Sequence, residues 1–325
     1  MILSRTPFRV SFVGGGSDLP FYFQKHGGAV ISTTINKYMY ITLHQRFDKG
    51  YRVCYSTTED CESVDLIKHD IVRELIKKSG IVDSLEVTSI ADIPAGSGLG
   101  SSSSYTVGLV SVLRAYNHKL ALKNELAEIA CDLEINILRK PIGRQDQYAA
   151  SYGGLNLIEF KKNNQVSVSP IVMEKGHLKE MESRFLMFYT GEKRSADDIL
   201  SEQASNLEKN QSYIDSTTKL VKLTYELFDQ LNNNNINNIG NILDQGWQIK
   251  KSLANGITND YVNSLYDRAM NAGADGGKLL GAGKSGFILL YANKKYHASI
   301  RNALKLRELV FSFENQGSSI IYNQN

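Results

Sequence analysis

Three glycine-rich stretches are where this sequence could do chemistry. Residues 94–104 read PAGSGLGSSSS, with glycines at 96, 98 and 100 followed by four serines. By composition alone this is a linker. Its setting says otherwise: SLEVTSIADIP before it has a strand pattern and YTVGLVSVLRAYN after it a helical one. Backbone N–H groups and the positive end of the helix then converge on one place, and glycine leaves room for an anion to approach. The serines can cap free N–H groups or bind a cation beside a phosphate. A serine-capped helix after a tight turn uses the same groups, so on geometry alone both readings stand. The second stretch, GAGKSG at 281–286, ends like a Walker loop, but Lys278 stands where that loop needs glycine, and a strand follows rather than a helix. It reads as a supporting wall. The third, GGGSDLP at 14–20, is a polar turn carrying Asp18.

Elements of alternating type must deliver these loops. FRVSFV at 8–13 alternates apolar and polar residues as a half-buried strand does and runs into the GGGSDLP turn. GGAVISTTINKYMYITLHQR predicts a strand pair. SVDLIKHDIVRELIKKSG predicts a helix stopped by Gly80, with Leu66, Ile67, Ile71, Leu75 and Ile76 on its apolar face. The helix after the serines is apolar on most faces and therefore buried. NELAEIACDLEINIL is amphipathic, with Leu126, Ile129, Ala130, Leu133 and Ile137 on one side and Glu128, Asp132 and Glu134 elsewhere. GGLNLIEF and QVSVSPIVM return to strands, closing an α/β unit over 1–180. RFLMFYTG opens a second unit, 181–325, in which long helices, the glycine wall, a strand and a last helix follow. LNNNNINNIGN reads as a solvated turn.

The bulk properties narrow the partners. The chain has 325 residues, 42% of them apolar, enough for two cores. Its 37 basic and 34 acidic residues are scattered, with no run suited to nucleic acid or a membrane surface. Cys54, Cys61 and Cys131 have no metal-site spacing and read as reduced thiols. No apolar leader or spanning stretch is present in the sequence. The expectation is a soluble, cytoplasmic protein, a monomer or homodimer, acting on a small molecule.

TPFRVSFVGGGSDLP, PAGSGLGSSSS and KLLGAGKSGF resemble, in order and approximate spacing, the three motifs of the GHMP kinases, the superfamily of galactokinase, homoserine kinase, mevalonate kinase and phosphomevalonate kinase. The resemblance runs from Arg5 to about Tyr291. It implies an α+β fold, with an N-terminal ATP-binding domain like domain 2 of ribosomal protein S5 and a ferredoxin-like C-terminal domain, and with ATP and substrate between them. GGGSDLPFYFQKHGGAVISTTINKYMYI and GRQDQYAASYGGLN resemble the branch that holds D-glycero-D-manno-heptose 7-phosphate kinases and fucokinase domains.

The resemblance also implies roles. Asp146, in GRQDQY, matches the catalytic base, against the plain alternative of a helix cap. Arg9 matches the cation that faces the γ-phosphate or the acceptor hydroxyl. Pro94, Ala95, Gly96, Ser97, Gly98, Leu99, Gly100, Ser101, Ser102 and Ser103 would hold ATP. Ser102 and Glu134 would bind Mg2+, with the serine register open by one. Gly15, Gly16, Ser17, Asp18, Gln147 and Gly283 would meet the sugar. A substrate phosphate needs a cation, and Lys193, Arg194, Arg144, Lys250 and Lys251 are candidates, Arg194 first. Lys284 departs from the small residue usual in its motif. The adenine pocket is sought loosely between Tyr51 and Asp65. The implied reaction is Mg·ATP-dependent phosphorylation of the anomeric hydroxyl of D-glycero-D-manno-heptose 7-phosphate, for nucleotide-heptose and surface polysaccharide synthesis. The rivals are another sugar 1-kinase, for fucose or a hexose, and a non-catalytic sugar sensor of the same fold.

Overall fold

The computed structural model of the chain describes residues 1–191, 201–202, 205, 210–254, 256–281 and 286–324. In chain order its first half holds β1 (Ile2–Val13), α1 (Pro20–His26), β2 (Gly28–Gln45), β3 (Tyr51–Cys54), β4 (Thr58–Cys61), α2 (Asp70–Ser79), β5 (Leu85–Ala91), α3 (Ser101–Tyr116), α4 (Lys123–Cys131), α5 (Gln145–Tyr152), β6 (Asn156–Phe160), β7 (Val166–Pro170) and α6 (Lys175–Ser183). The second holds β8 (Phe185–Tyr189), α7 (Gln211–Asn232), α8 (Ile239–Lys251), α9 (Asp260–Asn271), β9 (Gly276–Leu279), β10 (Phe287–Tyr291), α10 (His297–Leu304), β11 (Phe313–Glu314) and β12 (Ser319–Asn323).

The stretch expected to be a strand pair is one strand, β2, 18 residues long. Gly28 opens it, and its β-branched and aromatic residues continue without a turn signal until Gln45. This length makes β2 the organiser of the large sheet. It pairs with β1 along most of that strand, with β5 through Met39–Gln45, with β6 through Gly28–Ser32 and with β11 at Thr34 and Ile35. The path β12-β1-β2-β5-β3-β4 has one parallel pair, β3 with β5. A second sheet, β8-β10-β9, is antiparallel throughout.

β1 is not half-buried as its alternation suggested. Every residue from Pro7 to Val13 is buried. Its apolar side chains Phe8, Val10 and Phe12 enter the main core, and its polar face is covered by the glycine loop and by α3. α3 itself is buried from Ser103 to Leu113, as its all-round apolar pattern required.

The second unit does not keep the end of the chain. After α10, residues beyond Lys305 pass along the edge of the second sheet, where Tyr189 N donates to Arg307 O and Leu309 N to Met187 O. They then return to the first sheet, β11 on β2 and β12 on β1. The last two strands, inside the unit expected over 181–325, thus complete the N-terminal sheet.

An aromatic seam joins the units where the chain crosses. Phe185 stacks on Phe12 with centroids 5.2 Å apart, meets Tyr291 edge-on at 4.9 Å and lies 6.1 Å from Phe313. Truncation leaves a cavity that side chains from both sheets cannot collapse to fill. Phe185→Ala is expected to lower stability by about 3–5 kcal/mol, read as a shift of the urea unfolding midpoint.

Candidate active site

The alternating glycines of the PAGSGLGSSSS loop have the backbone that only glycine takes easily. Gly96, Gly98 and Gly100 have φ of +74°, +84° and +74°. The loop is clamped from both sides. Arg9 N donates to Leu99 O at 3.1 Å and Arg9 Nη1 to Gly98 O at 2.7 Å. On the other side lies the GAGKSG motif: a Cβ added at Gly98 would stand 2.5 Å from Leu280 O, and one at Gly281 would stand 2.5 Å from Gly98 Cα. The sequence placed GAGKSG as a wall, and its described ends, Gly281 and Gly286, do pack on the loop, Gly286 against Ser97.

Arg9 is the centre of the site. Its guanidinium grips Asp146 with both arms, Nε to Oδ1 at 2.7 Å and Nη2 to Oδ2 at 2.6 Å, and its third nitrogen holds the loop carbonyl of Gly98. A planar fork suits this simultaneous grip, which an ammonium cannot reproduce. A register shift in the β1–β2 pairing falls between Pro7 and Phe8, just before Arg9, where such irregularities re-aim side chains. Asp146 lies in the first turn of α5 and is partly open to solvent.

Asp18 docks the GGGSDLP turn onto the same helix start. It accepts from Gly16 N at 2.9 Å, Gln145 N at 3.2 Å and Gln145 Nε2 at 3.1 Å. Burial, and then the neighbouring charge of Asp146, raise its carboxyl above the usual range, while the backbone donors oppose the shift. Gly143 is obligatory beside it, because a Cβ there would lie 1.9 Å from Asp18 Oδ2. Gly15 sits next to the Gln145 amide, and Gly14 and Gly16 take φ of +93° and +99°. Ser17 is turned inward. Its hydroxyl donates to Ala29 O and accepts from Ala29 N, so it shapes the loop from behind.

Glu134 is fully buried, although the helical pattern set it away from the apolar face. The reason is local. The helix of α4 widens to a π-turn over Asp132–Ile137, which shifts the face on which Glu134 emerges. Its carboxylate accepts from Ser102 Oγ at 2.8 Å, Ser103 Oγ at 3.0 Å and Gln147 Nε2 at 2.8 Å. Gln147, expected at the sugar, is thus buried against Glu134. Lys140 Nζ lies 3.8 Å from Glu134 Oε1 and 3.4 Å from Ser102 Oγ. A hydroxyl and a carboxylate oxygen side by side, with a cation already drawn to them, form a donor set of the hard type that Mg2+ takes up when phosphate and water complete its shell. Ser102 is the serine that both touches Glu134 and lines the neighbouring cavity; Ser101 lines the cavity alone, and Ser103 is buried beneath.

That cavity, of about 780 Å³, opens between the units. Pro94, Ala95, Gly96 and Ser101 line it, and Tyr55, His69 and Tyr105 add an aromatic wall. His69 stacks on Tyr105 at 4.9 Å and meets Tyr55 edge-on at 4.7 Å. Burial lowers the imidazole below its ordinary value, so the ring is a neutral, flat surface at neutral pH. Glu59 secures this wall by accepting from Tyr55 Oη and from the backbone N–H groups of Lys68 and His69. The wall begins inside the window sought between Tyr51 and Asp65 and extends past it. His69 and Tyr105 were missed because no local pattern marks them.

Two further cations stand close by, Lys250, which the sequence offered as a candidate for a substrate phosphate, and Lys278, which it did not. Lys278 Nζ donates to Phe12 O at 2.9 Å from a buried position, and Lys250, on α8, donates to Gly281 O at 2.8 Å. Arg144, expected at a substrate phosphate, faces the other way. It pairs with Glu128 at 2.6 Å, donates to Asn164 O and lines a separate hollow behind α5. Its place at the N-cap of α5 sends its side chain to α4, opposite Asp146. Lys251 lies over the Trp247 ring. Lys193, Arg194, Gly283 and Lys284 lie outside the described residues.

Residues 65–154 match the model of the GHMP kinases N terminal domain. The D-glycero-alpha-D-manno-heptose 7-phosphate kinase of Campylobacter jejuni is 30% identical, over 97% of each chain. The bifunctional fucokinase/GDP-fucose pyrophosphorylase of Arabidopsis thaliana is 25% identical over 88% of this chain, which spans 29% of that longer protein. Among solved structures, a D-glycero-D-manno-heptose 1-phosphate kinase from Bacteriodes thetaiotaomicron superposes with a TM-score of 0.82 at 25% identity, each chain covered over 100% of its length. Likeness over the full chain, together with a glycine loop clamped onto an arginine–aspartate pair, leads to one conclusion: this protein belongs to the GHMP kinases and is an ATP-dependent sugar kinase.

Proposed function

We propose that the protein transfers the γ-phosphoryl group of ATP to the anomeric hydroxyl of D-glycero-D-manno-heptose 7-phosphate, giving the 1,7-bisphosphate and ADP. The observation that carries the transfer chemistry is the Arg9–Asp146 pair set against the Gly98 carbonyl, in the same glycine loop whose Gly96 and following Ser101 line the cavity. Phosphoryl transfer asks the protein for position and charge balance more than for covalent chemistry. In this reading the aromatic wall of Tyr55, His69 and Tyr105 takes the adenine. The loop N–H groups and the start of α3 take the phosphates.

The hydroxyl oxygen attacks the γ-phosphorus, the bond to the bridging oxygen of ADP breaks, and the hydroxyl proton passes to Asp146. Each carboxylate oxygen of Asp146 keeps a lone pair beyond its bond to Arg9, so the geometry leaves it able to accept that proton. Arg9 faces the charge that spreads over the transferred group. Asp18, with Gly15 and Gly16, orients the sugar hydroxyls. Ser102 and Glu134 would hold Mg2+, which when bound offsets phosphate charge.

The choice of sugar rests on the likeness to the Campylobacter jejuni kinase over 97% of the chain. The Bacteriodes thetaiotaomicron structure carries the name of a 1-phosphate kinase, whose acceptor hydroxyl cannot be the anomeric one. Arg194 is our first candidate for the 7-phosphate, and surface polysaccharide assembly in the cytoplasm is the setting that this product would serve.

An ADP-release assay across heptose 7-phosphate, heptose 1-phosphate, free heptose, fucose, galactose and mevalonate tests the assignment. Heptose 7-phosphate is expected to give the highest kcat/KM, and a free hexose or heptose 1-phosphate in its place would replace it as substrate. Asp146→Asn is expected to bind ATP as the wild type does and to lose about two or more orders of magnitude in kcat, the scale of a lost general base. Near-normal turnover in that variant would remove Asp146 from proton transfer.

A further inference from the structure

Lys250 is unexplained by the mechanism above. It stands in the last turn of α8, on the C-terminal unit, and its side chain donates to the carbonyl of Gly281. Gly281 packs directly on Gly98 of the glycine loop, and the Gly98 carbonyl is held by Arg9. Lys250 is therefore one backbone contact away from the transfer centre, and the charged groups that act on it come from every side of that centre: Arg9 of β1, Asp18 of the turn after β1, Asp146 of α5 and Lys278 of β9.

Three cations, Arg9, Lys250 and Lys278, gather here against two carboxylates, Asp18 and Asp146. A carbonyl oxygen is a neutral partner for an ammonium and does not balance its charge. Burial and the nearby Arg9 guanidinium push Lys250 down to about 8, against the pull of Asp18 and Asp146. Lys278 is pushed well below its ordinary value by burial, Lys250 and Arg9. Among the described residues Lys250 thus lacks a bonded anion, its ammonium standing on a carbonyl beside the glycine loop. An arriving phosphate supplies that anion.

We propose that Lys250 is a second catalytic cation of the transfer: its ammonium, which donates to the Gly281 carbonyl beside the glycine loop, contacts the γ-phosphoryl oxygens of bound ATP and stays on them as the group moves to the acceptor. The acceptor O–P bond forms and the P–O bond to ADP breaks, while the hydroxyl proton goes to Asp146. Lys250 neither gives nor takes a proton in this step; it offsets charge. Its place beside Gly281 and Gly98 assigns it to the transferred group rather than to the sugar's own phosphate at the far end of the substrate. The inference rests on the reading of the cleft as an ATP site, and not on which sugar is the acceptor.

Its test needs no acceptor. The affinities of the β,γ-imido analogue of ATP and of ADP are measured for wild type and Lys250→Met. Loss of a charge-assisted hydrogen bond to the γ-phosphate is expected to weaken the ATP analogue by about 10- to 100-fold and to leave ADP within about twofold. On whichever sugar the wild type turns over, kcat is expected to fall by about 10²–10³, and Lys250→Arg is expected to recover a large part of it. In the wild type, the preference for the ATP analogue over ADP falls as pH rises through about 8, because the ammonium is lost; in Lys250→Met that dependence disappears. Equal weakening of both nucleotides, or an unchanged preference, would make Lys250 a structural tie to Gly281 and overturn the proposal. If Lys250→Met does not fold, shown by loss of ADP binding, the wild-type pH series decides alone. A preference that stays constant from about pH 7 to about pH 9 overturns the proposal. Failure of heptose 7-phosphate as substrate would leave all these outcomes in place.

Discussion

The bidentate grip of Arg9 on Asp146 is the constraint around which the rest of the structure is arranged. One guanidinium brings together three segments far apart in the chain: β1, the glycine loop through Gly98, and α5 through Asp146. Desolvating such a pair is costly, and it is tolerated only where geometry is good and the spare donors are satisfied. Here the spare donor has the Gly98 carbonyl, and the carboxylate keeps an open side toward the cleft. The surrounding features serve this geometry. The shift in β1 pairing aims the side chain, the positive-φ glycines let the loop reach it, and Gly143 lets Asp18 pin the start of the helix that carries Asp146.

Much of this was legible in the residues, because chemistry concentrated in loops leaves composition signals. The alternating glycines do lie between a strand and a helix, as their flanking patterns required, although Gly100 and not a serine stands at the N-cap of α3. The buried helix after the serines followed from apolar residues on all faces. What sequence reading missed was set by tertiary contact. β1 alternates like a half-exposed strand, yet its polar face is buried because the glycine loop lies on it. Glu134 sits on the polar side of an ideal helix, and only the π-turn brings it inward. Lys278 looks like a solvated charge in any window, and Arg144 is turned from the site by the direction its N-cap position imposes. Return of the last two strands to the first sheet carries no local mark at all, since it is a property of topology.

Two carboxylate centres divide the work of the cleft. Asp146 is held by arginine, which leaves its oxygens in place and its charge balanced. Glu134 is held by two hydroxyls and an amide, neutral donors that do not cancel its charge, with Lys140 a looser neighbour. A fully buried carboxylate with that surrounding retains a demand for a positive partner. The side facing the cavity is the one that Ser102 and Lys140 share, which directs the demand toward the phosphates of a bound nucleotide. So the two acids, each close to the start of α3, differ in what holds them: an arginine for Asp146, two hydroxyls and an amide for Glu134.

The path of the chain bears on how the cleft can close. The units are joined at the step from α6 into β8 and again beyond α10, and the two crossings lie together. Phe313 N donates to Glu182 Oε2 at 2.7 Å, and Phe12, Phe185 and Phe313 stack across the junction. Packed aromatic contacts of this kind resist shear but leave rotation about their own line. The cavity mouth is bordered on one side by β5 and the glycine loop and on the other by Tyr189, Phe287 and Arg307 to Leu309. The junction is wider than these rings: α7 and α8 also pack on β1, with Gly246 of α8 set against Val13 and Tyr22 Oη bonded to Thr218 Oγ1, so the strand that carries Arg9 and the helix that carries Lys250 are held together.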